Sequence, residues 1–146
     1  MNRDNKTLLD FQTDWVILVN KAVNDYDSLS SDERIWFNIQ ALIDAVDNGG
    51  LISHYYNSGA DHNKETIADL ITIGFSDVAD LLIKVNKLFP NSQPSTDLGE
   101  RNEVINNWED GKFDELLNQV DENFYGREND LESKLINLIE TKIKRA

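Results

Sequence analysis

No cysteine occurs anywhere in the 146 residues, which excludes disulfides, thiolate zinc sites and cysteine nucleophiles. Long apolar runs are missing as well. None approaches the roughly 18 residues that would suggest a membrane span. The run Trp15 to Val19 is short and closely flanked by acids, and the polar, charged stretch from Met1 to Asp10 does not read as a signal peptide. The expectation is a cytoplasmic protein without a membrane partner. Sustained strand alternation, internal repeats and low-complexity segments are absent too. So are the phosphate loop, the dinucleotide fingerprint, the G-x-S-x-G elbow and the HExxH pair, which leaves no recognisable catalytic centre.

Imidazole is scarce. His54 and His62 are the only histidines, and a metal site would have to recruit Asp61 or Glu65 beside them. His62 falls in a polar loop and reads as solvated. His54, beside Tyr55 and Tyr56, reads as partly packed. No metal and no cofactor is expected. Bases are scarce as well and are not interleaved with aromatics, which disfavours direct binding to nucleic acid.

What the chain does have is apolar matter and acid. The hydrophobic fraction is 40%, with three Trp, four Tyr and six Phe, too much for a disordered chain. A length of 146 residues suits one domain, so residues 1–146 are expected to share one core. The spacing predicts helices throughout: seven to nine of them, all-α, with no sheet. Leu8, Phe11, Trp15, Leu18, Val19, Ala22 and Tyr26 step by three and four along a first helix from about Thr7 to Asp25. Ser30 and Glu33 form a capping box for a second, which ends at Asn48-Gly49-Gly50. There Asn48 and Gly49 read as left-handed and Gly50 as allowing close helix packing, and a positive φ is expected at Gly49 or Gly50.

A short helix Leu51 to Tyr56 follows. A fourth runs from Asn63 to Ile73, with Ile67, Leu70 and Ile71 inward and Gly74 as its stop. Ser76 is expected to cap a fifth that Pro90 ends, and Ser95 or Thr96 a sixth from Leu98 to Trp108. Beyond it the pattern suggests separate pieces, Phe113 to Val120, Asp121 to Tyr125 and Asp130 to Lys144. Trp15, Trp36, Ile39, Ile43, Leu70, Leu82, Val85 and Leu135 are the expected interior.

Twenty-seven acids against fourteen bases give a net charge of −13 and a pI near 4.4. Such a surface repels nucleic acid and attracts basic partners, although acidity also serves plain solubility. The charge is uneven. Residues 97–132 hold twelve acids and three bases, a net −9, while the last fourteen residues carry +3 from Lys134, Lys142, Lys144 and Arg145 against Glu140. The basic end fits a helix C-terminus. The acidic block has no such local reason in the sequence.

Several short segments, read together, carry a resemblance. They are Trp15, Leu29-Ser30-Ser31-Asp32-Glu33-Arg34, the turn Asp47-Asn48-Gly49-Gly50-Leu51 running into Tyr55-Tyr56-Asn57, Ile73-Gly74-Phe75 and Phe124-Tyr125. Over roughly residues 10–126 the chain resembles the bacterial family of acidic DNA-mimic proteins. The resemblance implies an all-helical fold and a protein that occupies the DNA-binding surface of a regulator. In it Asp47, Asn48, Gly49, Gly50 and Asn57 read as a structural motif.

The acids expected to face such a partner are Glu100, Glu103, Glu109, Asp110, Asp114 and Glu115, joined by Asp10, Asp14, Asp25 and Asp27. The partner would be a basic protein, a DNA-binding regulator being the concrete case. The chain itself would be a monomer or homodimer. The alternatives are an immunity-type or other partner-binding protein that does not mimic DNA and, third, an enzyme with dispersed acids.

Overall fold

The protein, represented by a computed structural model, is described over residues 6–144; Arg145 of the basic end lies outside the described residues. Among the described residues there are seven α-helices and no strand. They are α1 (Gln12–Asp25), α2 (Ser31–Gly49), α3 (Leu51–Tyr56), α4 (Asn63–Thr72), α5 (Ser76–Asn86), α6 (Leu98–Asn106) and α7 (Asp114–Leu138), joined by short 3-10 turns.

Helix α2 is central because it is apolar over most of its circumference. It buries Ile35, Trp36, Ile39, Leu42, Ile43 and Val46 and packs against α1, α3, α4 and α7. The predicted capping box opens it: Ser30 Oγ accepts the Glu33 amide at 3.1 Å and Glu33 accepts the Ser30 amide at 2.9 Å. Leu70, Leu82, Val85 and Leu135 are fully buried with Trp36, Ile39 and Ile43. Each such aliphatic side chain contributes about 1.5–3 kcal/mol by leaving water. Trp15 departs from expectation. It is half-buried at the core's edge, ring to ring with Trp36 at 6.0 Å and Phe37 at 5.9 Å. Ile71 is also outside, half exposed, because α4 turns it away from both α2 and α5.

The largest correction concerns the end of the chain. The three pieces expected beyond residue 112 form one helix, α7, continued by a π-type turn Ile139–Ile143. Its buried positions Val120, Phe124, Leu131 and Leu135 keep step with one face. The slot between Phe124 and Leu131 holds no apolar residue. Arg127 stands there instead, its guanidinium 4.6 Å from the Phe75 ring, and so hides the period. Gly126 has open space around it and passes inside the helix.

Caps also differ in detail. Helix α5 starts at Ser76 itself, without a side-chain cap. Asp97 rather than Ser95 or Thr96 caps α6, accepting the Glu100 amide at 3.0 Å, and Ser95 Oγ in turn accepts the Asp97 amide at 3.0 Å.

Candidate acidic binding surface

The turn between α2 and α3 shows what the Asn-Gly-Gly segment does. Asn48 and Gly49 stay helical rather than left-handed, and the positive φ expected at Gly49 or Gly50 falls on Gly50, at φ 82° and ψ 177°. A Cβ there would lie 2.6 Å from Asp121 Oδ2. That space is needed because Asp121, on α7, accepts the Leu51 amide at 2.8 Å and so closes the start of α3. Asn57 closes the other end, its amide donating to Ser53 O at 2.6 Å, while Asn48 donates to Asp44 O. Asp47 is exposed and stands beside Glu128. Gly50, Asn48 and Asn57 thus shape this turn.

Partial desolvation, with Asp47 and Glu132 nearby, pushes the Glu128 carboxyl up to about 7. His54 is buried, more than expected, and desolvation lowers its pKa to about 4. His62 is not a free loop side chain either; it stacks flat on Tyr26 with ring centroids 3.5 Å apart. Tyr55 fills the core and Tyr56 does not. Among the described residues no group of three or more His, Asp or Glu is placed to hold a metal ion. Among the described residues no helix is long and apolar enough to cross a membrane.

The acid-rich segment 97–115 is built outward from one inward base. Arg101 is fully buried. Its guanidinium donates to three backbone carbonyls, Tyr55 O at 3.0 Å, Ser95 O at 2.8 Å and Asn57 O at 2.8 Å. Asp61 lies 2.9 Å from Nη1, an ion pair outside hydrogen-bonding geometry. This clamp ties α6 to the end of α3.

Beyond α6, Trp108 packs edge-on between Phe89 at 5.4 Å and Phe113 at 5.0 Å. The two anchors hold the loop that Gly111, at φ 76°, turns into α7. Upon this frame Glu100, Glu103, Glu109, Asp110, Asp114 and Glu115 are all exposed. Among the described residues none of the six takes part in an ion pair.

Other acids of the block have local duties. Asp97 caps α6, Asp121 caps α3, Asp130 pairs with Arg127 at 2.8 Å, and Glu132 accepts the Leu8 amide at 3.3 Å. Some of the six have a partial local reason as well, which the sequence pattern hid. Glu100 lies in the first turn of α6, and Asp114 and Glu115 in that of α7, where the macrodipole favours acids. Glu103, Glu109 and Asp110 have none.

The acids of the first helix form a second group on a different element. Asp10, Asp25 and Asp27 are exposed; Asp10 accepts the Thr7 amide, and Asp14 is half-buried and bridged to Lys144. Helix α1 packs against α2, whereas α6 packs against α3. Sequence reasoning missed Arg101, Asp61 and Asp121. A base set among the acids and apolar residues of α6 was the available signal for Arg101; nothing local marks the other two.

A family model described as DMP19-like protein matches residues 27–142. The matched span begins after α1, so Trp15 lies outside it, and it extends through α7 to the π-type turn. No curated protein and no solved structure matches the chain.

Proposed function

We infer the function from one premise: the chain belongs to the DMP19-like protein family, in which DMP19 stands for DNA mimic protein 19. The reading is that this protein binds rather than catalyses. It occupies the nucleic-acid-binding surface of a basic protein by presenting exposed carboxylates where that protein expects phosphates.

One observation carries this reading. In segment 97–115 seven acids are exposed without an ion pair, the six named above and the helix cap Asp97, while Arg101 is withdrawn into the interior and Lys112 remains the only other base there. Duplex DNA presents a negative charge about every 1.7 Å of axis. Helical neighbours such as Glu100 and Glu103 stand about 5–6 Å apart. Fixed carboxylates at that density offer a basic groove a comparable field, held still by the Arg101 clamp and the Trp108 and Phe113 anchors.

The test uses the full chain as bait on a host lysate, at low and at high salt, with duplex DNA as competitor. The parent is expected to retain a basic DNA-binding protein that high salt releases and that DNA displaces. A variant combining Glu103→Gln, Glu109→Gln, Asp110→Asn and Glu115→Gln should bind it about ten- to a hundredfold more weakly, with a flatter salt dependence. Equal binding by the variant at the same salt slope, or a captured protein that DNA does not displace, would remove the mimicry reading.

A further inference from the structure

We propose that the groove between α1 and α2 binds a small aromatic molecule carrying one N–H or O–H, which lies against Trp15 and Phe37 and donates to Nδ1 of His54. This site is separate from the acidic segment and does not depend on it.

The groove has a volume of about 330 Å³. That is within the range of ligand pockets, and about twice the roughly 150 Å³ that admits benzene in a protein interior. Space exists because the residues beneath it are small. Ala41 and Ala45 on α2 and Gly59 after α3 line it, and a Cβ on Gly59 would still stand 3.7 Å from both the Ala41 Cβ and His54 Nδ1. Trp15 and Phe37, nearly parallel at 28° with centroids 5.9 Å apart, form an aromatic wall.

The specific demand comes from His54, which is 1% exposed. Its Nε2 lies 3.0 Å from Asn63 Oδ1. The Asn63 amide is already oriented, since its nitrogen donates to Asn86 Oδ1 at 2.9 Å. Asn63 Oδ1 therefore accepts, Nε2 carries the proton, and Nδ1 is left as a bare acceptor. No protein group bonds it. Burial keeps the ring neutral at ordinary pH, so Nδ1 does not protonate to escape the deficit.

A buried acceptor without a donor is costly; His54 and Gly59, whose added Cβ would stand 3.7 Å from Nδ1, both line the groove, so a donor comes to this covered atom from that side once the ring edge is uncovered. Two of the other polar side chains that line it are engaged: the Asn48 and Asn57 amides bond the backbone carbonyls of Asp44 and Ser53. Asp44 at the mouth makes an anionic ligand unfavourable. An uncharged bicyclic ring with one donor meets all these terms, and indole is the simplest probe.

Indole is titrated into isotopically labelled protein while the Trp15 side chain, Phe37 and the His54 ring nitrogens are followed by NMR. Saturable shifts at all three are expected, with the Nδ1 resonance moving as it gains a hydrogen bond. Two isomers of equal size isolate that bond: 3-methylindole keeps the N–H and 1-methylindole lacks it. The latter should bind about tenfold more weakly. Gly59→Ala places a methyl over Nδ1 at ordinary contact distances and should abolish binding with the fold intact; Ala45→Leu fills the groove from α2 and serves if the first variant does not fold. Absence of saturable shifts would overturn the proposal. So would equal affinity for the two isomers, binding unchanged in a folded cavity-filling variant, or a water on Nδ1 that indole does not displace.

Discussion

Replacing Arg101 by methionine should be among the most damaging single changes in this protein, although the residue sits in its most acidic and most solvated stretch. The perturbation keeps the volume and removes the guanidinium. Three carbonyls, the buried Tyr55 O and the part-buried Asn57 O and Ser95 O, would lose their donor at once, and Asp61 its cation. Leaving a buried polar group unsatisfied costs about 1–3 kcal/mol, and breaking a buried pair from one side about 3–5 kcal/mol. Asp61 is 35% exposed and can take water in compensation, which places the net loss near the lower end, about 3–4 kcal/mol. For a chain of this size that is a fall in Tm of roughly 8–15 °C.

Arg101→Lys retains the charge, but one ammonium cannot reach three divergent carbonyls, and a loss of about 2 kcal/mol is expected. Asp61→Asn should cost less, about 1–3 kcal/mol, because the carbonyls still hold the clamp while the buried guanidinium loses its counter-charge. Urea denaturation followed by circular dichroism measures all three, with an unchanged m-value as the sign that the native state is affected. An Arg101→Met variant within 1 kcal/mol of the parent would refute the argument.

Gly50→Ala forces a side chain into backbone that only glycine tolerates and onto Asp121, so a loss of about 2–4 kcal/mol is expected by chemical denaturation. Gly49→Ala, one residue earlier in regular helix, should instead raise stability by about 0.5–1 kcal/mol. The fourfold acid variant described above should melt within about 2 °C of the parent, since like-charge relief offsets small losses of helix propensity. Glu128 gives a pH signature. Its folded-state pKa of about 7 lies above the ordinary 4.5, so the native state holds the proton more tightly. Its contribution is therefore favourable in acid and is lost as pH rises from 4.5 through 7. Denaturation of parent and Glu128→Gln at pH 5 and pH 8 should show the variant gaining on the parent at the higher pH; a constant difference would contradict the shift.

Much of the fold was legible because α2 through α5 carry local marks: the Ser30–Glu33 box, Gly50 and Gly74 as stops, Pro90, and apolar stripes with period 3.6. Helix α7 was misread because one slot of its stripe is filled by a cation over an aromatic ring, a pairing settled by Phe75, far away in sequence. The candidate site was legible as a composition and not as an arrangement. Exposure of the six acids follows from α6 and the Trp108 and Phe113 anchors. The distinction between acids that cap helices and acids that face water depends on partners such as Leu51 for Asp121 and Leu8 for Glu132. The same holds for His54, whose ring meets Asn63 nine residues on.

The contacts at the far end of α7 bear on the order in which the protein can be completed. Leu8 has its amide on Glu132, Lys6 pairs with Glu140, and Asp14 with Lys144. A ribosome delivers the first of each couple more than a hundred residues before the second. Through most of synthesis α1 can lean on α2 but has nothing to hold its outer side. The first helix made is therefore among the last to be secured, and a nascent chain halted before Glu132 should be cut by protease within α1 while α2 to α5 resist.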